Sequence, residues 1–173
     1  MDVYEAIRKR KSVRRYKDKE VEQEKLTRIL EAARLAPSAS NKQEWRFVVV
    51  KDKEKRRKLS EAARGQKFVA EAPVVIACCA ETDYHEMTCS QLCYPIDVAI
   101  AIDHITLAAV EEDLGTCWIG AFYEDKAKEI LDIPDRIRVV ELLTLGYPVD
   151  DSIKDKDKLR LPIETIVKWE KWE

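Results

Sequence analysis

The chain has 173 residues, 46% of them hydrophobic and 37% charged, with a formal net charge of −2. That length suits one domain with its own core, and only four glycines and six prolines exclude collagenous, low-complexity and mostly disordered classes. The near-balanced charge creates no general field for nucleic acid or an anionic membrane, so basic residues have to act locally.

The opening residues contain no apolar signal region, and no apolar run approaches the ~20 residues that span a bilayer; a cytoplasmic protein is expected. Val3, Ile7 and Val13 punctuate a short basic opening helix. Helical spacing resumes at Val21, Leu26, Ile29 and Leu30 and ends near Pro37. Trp45 to Val50 is aromatic and β-branched and reads as a strand, followed by a charged helix from Lys53 to Arg64 that stops at Gly65. Pro73 opens the continuous apolar run Val74 to Ala80, expected as a central strand covered on both faces. From Tyr94 to Asp113 the chain is apolar almost all round, which predicts a buried helix covered by its own sheet and by a second subunit.

Thr116 to Phe122 reads as extended, Glu124 to Leu131 as a short helix, and Val139 to Leu145 as a further strand closed by Gly146-Tyr147-Pro148. The tail, Val149 to Glu173, has a charge-rich stretch at Asp150 to Lys158, then Ile163, Ile166, Val167, Trp169 and Trp172, which need cover from this domain or a partner. Asp97 and His104 lie seven apart on one helix face, where a hydrogen-bonded structural pair is expected rather than a catalytic dyad. The odd set Cys78, Cys79, Cys89, Cys93 and Cys117 reads as buried, inert thiols rather than a disulfide framework. The i,i+4 spacing of Cys89 and Cys93 could put them on one helix face, but zinc would need two more ligands and His85 and His104 are the only histidines, so no metal is expected.

Arg8-Lys9-Arg10-Lys11-Ser12-Val13-Arg14-Arg15 sets six basic residues around a serine. Guanidinium forks, a lysine charge and a hydroxyl suit a phosphate, although a charge run more often simply faces water. The polar loop Ala36 to Trp45 either lines a ligand or is ordinary turn chemistry. No glycine-rich phosphate loop and no nucleophile elbow occurs. A chain with a candidate anion site and no catalytic side chains of its own suits a cofactor that carries the chemistry.

Three segments then come in a familiar order: Arg10 to Arg14 (R-K-S-V-R), Ala36 to Trp45 (A-P-S-A-S-N-K-Q-E-W) and Leu114 to Phe122 (L-G-T-C-W-I-G-A-F). With Gly65-Gln66, Gly146-Tyr147-Pro148 and Lys158 to Pro162 they resemble the nitroreductase family of flavoproteins over nearly all of the chain. The resemblance implies an α+β, three-layer fold: a central, mainly antiparallel sheet flanked by helices, in an intertwined homodimer. By the same resemblance, residues 1–173 would form a single domain whose tail, 149–173, would wrap the partner subunit. It also implies tightly bound FMN at the interface. Arg10, Lys11, Ser12 and Arg14 contact its phosphate, ribityl and ring edge, and Lys158 and Arg160 make a second phosphate clamp. Pro37, Ser38, Ala39 and Asn41 approach from the other subunit, and Gln66 meets the polar edge of the ring. Trp118, Ile119, Gly120 and Ala121 lie beside the ring, with the Gly120 N–H at flavin N5.

NADH or NADPH would then deliver hydride in a ping-pong cycle to a small acceptor, a nitroaromatic, quinone or flavin, with no side chain required as general acid. Three departures from larger members mark this chain as a short form: Glu44-Trp45 stands where they carry Pro-Trp, Gly120 where they carry an acidic residue near N5, and the longer segment that forms their acceptor pocket over the flavin is missing. A flavin-binding sensor or carrier without rapid turnover, and a flavin-destroying or dehalogenating enzyme on the same fold, are the alternatives. A small regulatory protein that binds a phosphorylated ligand is the furthest one. The segment from Glu81 to Cys93 is expected to rim the acceptor pocket.

Overall fold

The computed structural model of the chain describes residues 1–149 and 159–172. Its elements in chain order are α1 (Val3–Lys9), α2 (Gln23–Arg34), β1 (Trp45–Val50), α3 (Lys53–Ala62), α4 (Lys67–Glu71), β2 (Val74–Glu81), α5 (Cys93–Glu111), β3 (Gly115–Ile119), α6 (Glu124–Leu131), β4 (Ile137–Gly146) and α7 (Ile163–Ile166). The strands form one sheet in the order β1-β2-β4-β3, with every neighbouring pair antiparallel.

Alternation along the strands divides the interior in two. Val74, Ile76, Cys78 and Ala80 of β2 pack with Leu143 and Leu145 against α2 and α5. Val75, Ala77 and Cys79 turn the other way and pack with Leu142, Leu59 of α3 and Ala127 of α6. The continuous apolar run of β2 is thus the signature of a strand buried on both faces, and the three-layer α+β fold expected from the sequence is present. Between Cys78 and Cys79 the β2–β4 register slips, so that Glu141 stands opposite Cys78 while Val139 stands opposite Cys79. A bulge re-aims side chains locally.

Polar contacts lock the helical layers. Asp2 caps α1 by accepting the Glu5 N–H at 2.7 Å, and Asp52 caps α3 through the Lys55 N–H at 2.8 Å. Between α2 and the end of α5, Arg28 binds Glu112 with both arms of its guanidinium. Arg138 of β4 makes a fork onto Glu124 of α6 at 2.9 and 3.0 Å and also donates to the Tyr94 hydroxyl at 2.9 Å. Burial opposes ionisation of Glu124, yet the hydrogen bonds from Arg138 and the Val139 N–H, with the Arg138 charge, hold its pKa below the usual carboxylate value.

Three sequence expectations need correction. The opening helix stops at Lys9, so Val13 is not part of it; it lies in an extended segment on the sheet. The short helices α4 and α7 and the 3₁₀ turn Ala39–Asn41 were not foreseen. Helix α5, with 19 residues, is long and apolar enough to cross a membrane by length and composition, contrary to the sequence reading. Here it is a core helix: Val98, Ala101, Ile102, Ile105 and Ala109 are fully buried.

Part of α5 remains uncovered within one chain. Pro95, Ile96, Ala99 and Ile100 line, with Asp103 and His104, a shallow depression of about 510 Å³. The tail is likewise bare: Leu159, Ile163, Ile166, Trp169 and Trp172 are all exposed, Trp172 at 89%.

Candidate functional site

The basic segment after α1 forms an extra, irregular strand on the free edge of β3. Ser12 forms a parallel bridge with Thr116, and the Val13 N–H donates to the Thr116 carbonyl at 2.8 Å. Gly115 makes this approach possible, because a Cβ there would collide with the Val13 side chain. Farther along, the Tyr16 hydroxyl sits 2.7 Å from both the Val13 carbonyl and Thr144 Oγ1, and the Lys17 N–H donates to Tyr147 at 2.8 Å. Anchored at both ends, Arg10 to Arg14 is presented on a rigid frame.

Its cations are not neutralised. Elsewhere Lys9 pairs with Glu5, Arg34 with Glu31, Arg46 with Glu81 and Arg57 with Glu54 and Glu61. Among the described residues, Arg10, Lys11 and Arg14 have no ion-pair partner. Lys11 Nζ is buried with no hydrogen-bond partner, a costly state for an ammonium that an anion would relieve. Arg14 lies over the Phe68 ring, 6.0 Å from its centre. Burial raises the pKa of the Cys117 thiol, while Arg14, Ser12 and Arg10 pull it down, so these three residues face one point on β3.

The end of β3 completes this edge. Trp118 is 36% exposed, Ile119 is buried, and Gly120 and Ala121 are exposed. Gln66 Nε2 donates to the Ala63 carbonyl at 2.9 Å and to that of Ala121 at 3.4 Å. The structure therefore brings Arg10, Lys11, Ser12 and Arg14 to the same edge as Gln66 and Trp118 to Ala121. Phe68, Thr116 and Glu141 belong to this neighbourhood and were missed from sequence. The one available signal for Glu141 was a lone carboxylate inside an apolar strand.

Pro37, Ser38, Ala39 and Asn41 are not there. They precede β1, the opposite edge of the sheet, about 14 Å from β3 at three strand spacings. Their loop is tightly specified. Ser38 Oγ accepts the Gln43 N–H at 2.9 Å, and both Asp97 oxygens accept the Ala39 N–H at 3.2 Å. Ser40, Asn41 and Gln43 all have positive φ, of 50°, 54° and 51°, a strained arrangement for non-glycine residues that marks candidate function. Beside it Glu44 is 4% exposed, with Oε2 unpartnered.

Lys158 lies outside the described residues. Arg160 is exposed and donates to the Leu159 carbonyl at 2.7 Å; no ion pair or hydrogen bond joins it to Arg10 to Arg14 among the described residues. The expected Asp97–His104 pair is absent: Asp97 holds the Ala39 loop, and His104 Nδ1 lies 3.1 Å from the Ala32 carbonyl on α2. Both residues face α2 and its following loop, which have backbone groups to satisfy. Of the thiols, Cys78, Cys79, Cys93 and Cys117 are buried, whereas Cys89 is exposed, contrary to expectation, because it sits in a turn before α5. Among the described residues no three His, Cys, Asp or Glu side chains converge as a metal site.

The chain belongs to the nitroreductase family, whose model matches residues 7–87 and 64–147. An NAD(P)H-linked FMN reductase of Bacillus subtilis is 34% identical over 182 aligned residues, covering 95% of this chain and 72% of that protein. A nitroreductase family protein of Clostridium difficile superposes with a TM-score of 0.89 at 34% identity, covering 99% of this chain and 100% of that one. An FMN-dependent nitroreductase of Clostridium difficile gives 0.81 at 32% identity, over 98% and 99% of the two chains.

Proposed function

We propose that the chain is an FMN-dependent NAD(P)H oxidoreductase that reduces a small acceptor, a nitroaromatic, quinone or flavin, in a ping-pong cycle. The observation that carries this reading is the buried, unpartnered ammonium of Lys11, between Arg10 and Arg14 that are themselves unpaired. A phosphate with a polar ribityl chain satisfies all three at once.

Arg10, Lys11, Ser12 and Arg14 would hold the phosphate, ribityl and ring edge, with Lys158 and Arg160 as a second pair of cations for the phosphate. Gln66 would meet the polar edge of the ring, and Trp118, Ile119, Gly120 and Ala121 would flank it, the Gly120 N–H serving as a donor to N5. The bound flavin supplies the redox chemistry; the protein supplies position and electrostatics. Pro37, Ser38, Ala39 and Asn41 come from a second copy, since within one chain they stand at the far edge of the sheet. The bare face of α5 and the exposed Trp169 and Trp172 are the apolar surfaces that such a homodimer covers. The cytoplasm, which keeps thiols reduced, suits the free cysteines.

The test is spectroscopic. Purified protein reconstituted with FMN should be yellow, bleach with NADH or NADPH without oxygen, and recover on adding a quinone. A protein that retains no FMN under any condition overturns the reading.

A further inference from the structure

Strand β4 carries one carboxylate through an apolar run, Glu141 in Val139-Val140-Glu141-Leu142-Leu143. The bulge sets it opposite Cys78 of β2. On the β3 side Leu142 pairs with Ile119, which brings Glu141 next to Gly120. A Cβ at Gly120 would lie 3.5 Å from Glu141 Oε1 and 3.6 Å from Oε2. The glycine thus leaves a half-buried carboxyl screened by backbone alone from the exposed edge of the site.

No cation answers this carboxyl. Among the described residues it has no ion pair, and its polar neighbour is the backbone N–H of Ile119. The titratable groups whose charge couples to it are the thiols of Cys78 on β2 and Cys117 on β3, both pushed up by burial. Burial lifts Glu141 itself to about 7, against the opposing Ile119 N–H.

We propose that Glu141 is the proton donor of the site, giving its proton past Gly120 to the acceptor while that acceptor is reduced. The proposal rests on the flavin lying beside Trp118 to Ala121. Hydride transfer from the nicotinamide to the flavin takes up no proton from the protein. Reduction of a quinone by two electrons adds two hydrogens, a hydride from the reduced cofactor and a proton. Glu141 supplies the second: its O–H bond breaks, an O–H bond forms on the acceptor, and the carboxylate left behind is held by the Ile119 N–H until water reprotonates it. A carboxyl that titrates near the working pH is suited to that exchange.

The first test needs no turnover. In apoprotein with ¹³C-labelled glutamate, the signal lost in Glu141→Gln should titrate near neutrality, and adding FMN should move both that titration upward and the Gly120 amide resonance. If the Gly120 amide moves while Glu141 does not, the proposal falls and the flavin placement stands. If neither moves, the placement falls and the proposal with it. In stopped flow, Glu141→Gln should leave flavin reduction by NADH unchanged and slow reoxidation by a quinone about tenfold or more, with loss of the pH break that matches the Glu141 titration found with FMN bound. Equal slowing of both halves, or unchanged reoxidation, overturns the proposal.

Discussion

Asp97 on α5 receives the Ala39 N–H on both carboxylate oxygens, at 3.2 Å each. The side chain is 4% exposed, and burial, which outweighs the Ala39 hydrogen bond, raises its pKa. It therefore stakes a strained loop onto the core helix rather than taking part in chemistry. Asp97→Ala should free that loop and raise the FMN dissociation constant about tenfold, equivalent to about 1.4 kcal/mol, as read by flavin fluorescence quenching. Unchanged FMN affinity would remove the loop from the site.

Gly115 is where the basic segment touches β3. Gly115→Ala forces the new methyl against Val13, and overpacking of this kind costs about 1–3 kcal/mol. Since the displaced segment carries Arg10 to Arg14, the melting temperature and FMN affinity should fall together. A stable variant with weakened FMN binding would locate the effect in the segment alone; normal values for both would contradict the contact.

The phosphate grip separates FMN from riboflavin. Arg10→Ala with Arg14→Ala removes two charge-assisted donors, each worth about 1.5–3 kcal/mol, so FMN binding should weaken at least hundredfold and by far more than riboflavin binding does. Lys55→Ala is the control, because that lysine is exposed and 3.9 Å from Asp132 and contributes little. Equal loss for both flavins would mean that these arginines do not meet the phosphate.

Deleting residues 163 to 173 takes away Ile163, Ile166, Trp169 and Trp172, apolar surface that one chain leaves uncovered. Sedimentation analysis should show weaker dimerisation, and flavin occupancy should drop in step. A fully flavinated monomer would contradict the shared site.

Glu141 also has a signature in stability. Burial pushes its folded pKa up to about 7, above the ordinary carboxylate value, so the unfolded chain releases this proton first. Native stability therefore declines as pH rises from the unfolded value to the folded one, and stays lower above it. Glu141→Gln lacks the penalty: its melting temperature should exceed that of the wild type at pH 8, with the gap closing toward pH 4. A gap independent of pH would deny the burial effect.

The fold was legible where periodicity and length agree. Val74 to Ala80 could only be a strand buried twice, and the unbroken apolar helix after Tyr94 had to lie at the core. What escaped depends on neighbours distant in sequence. Val13 follows the apolar pair Val3 and Ile7 closely enough to read as one more turn, yet the bond from its N–H to the Thr116 carbonyl draws it onto the sheet. The five residues of α4 carry too little pattern to read. The clustering of Arg10 to Arg14 was visible, but not that their charges go unanswered. Glu141 was legible only as an oddity: its meaning depends on a bulge in β4, where Val140 has no partner on β2, and on Gly120 just past the end of β3.

The placement of Arg14 and Asn41 at opposite borders of one sheet has a genetic consequence. If each pocket is assembled from one chain's basic segment and the other's loop, then a chain damaged in the first and a chain damaged in the second are each dead as pure dimers, yet can rescue one another. When the two are unfolded together and refolded as a mixture, half of the dimers are mixed, and each mixed dimer holds one pocket made wholly of undamaged parts. About a quarter of all pockets should regain activity, a recovery that no arrangement of self-contained subunits can produce.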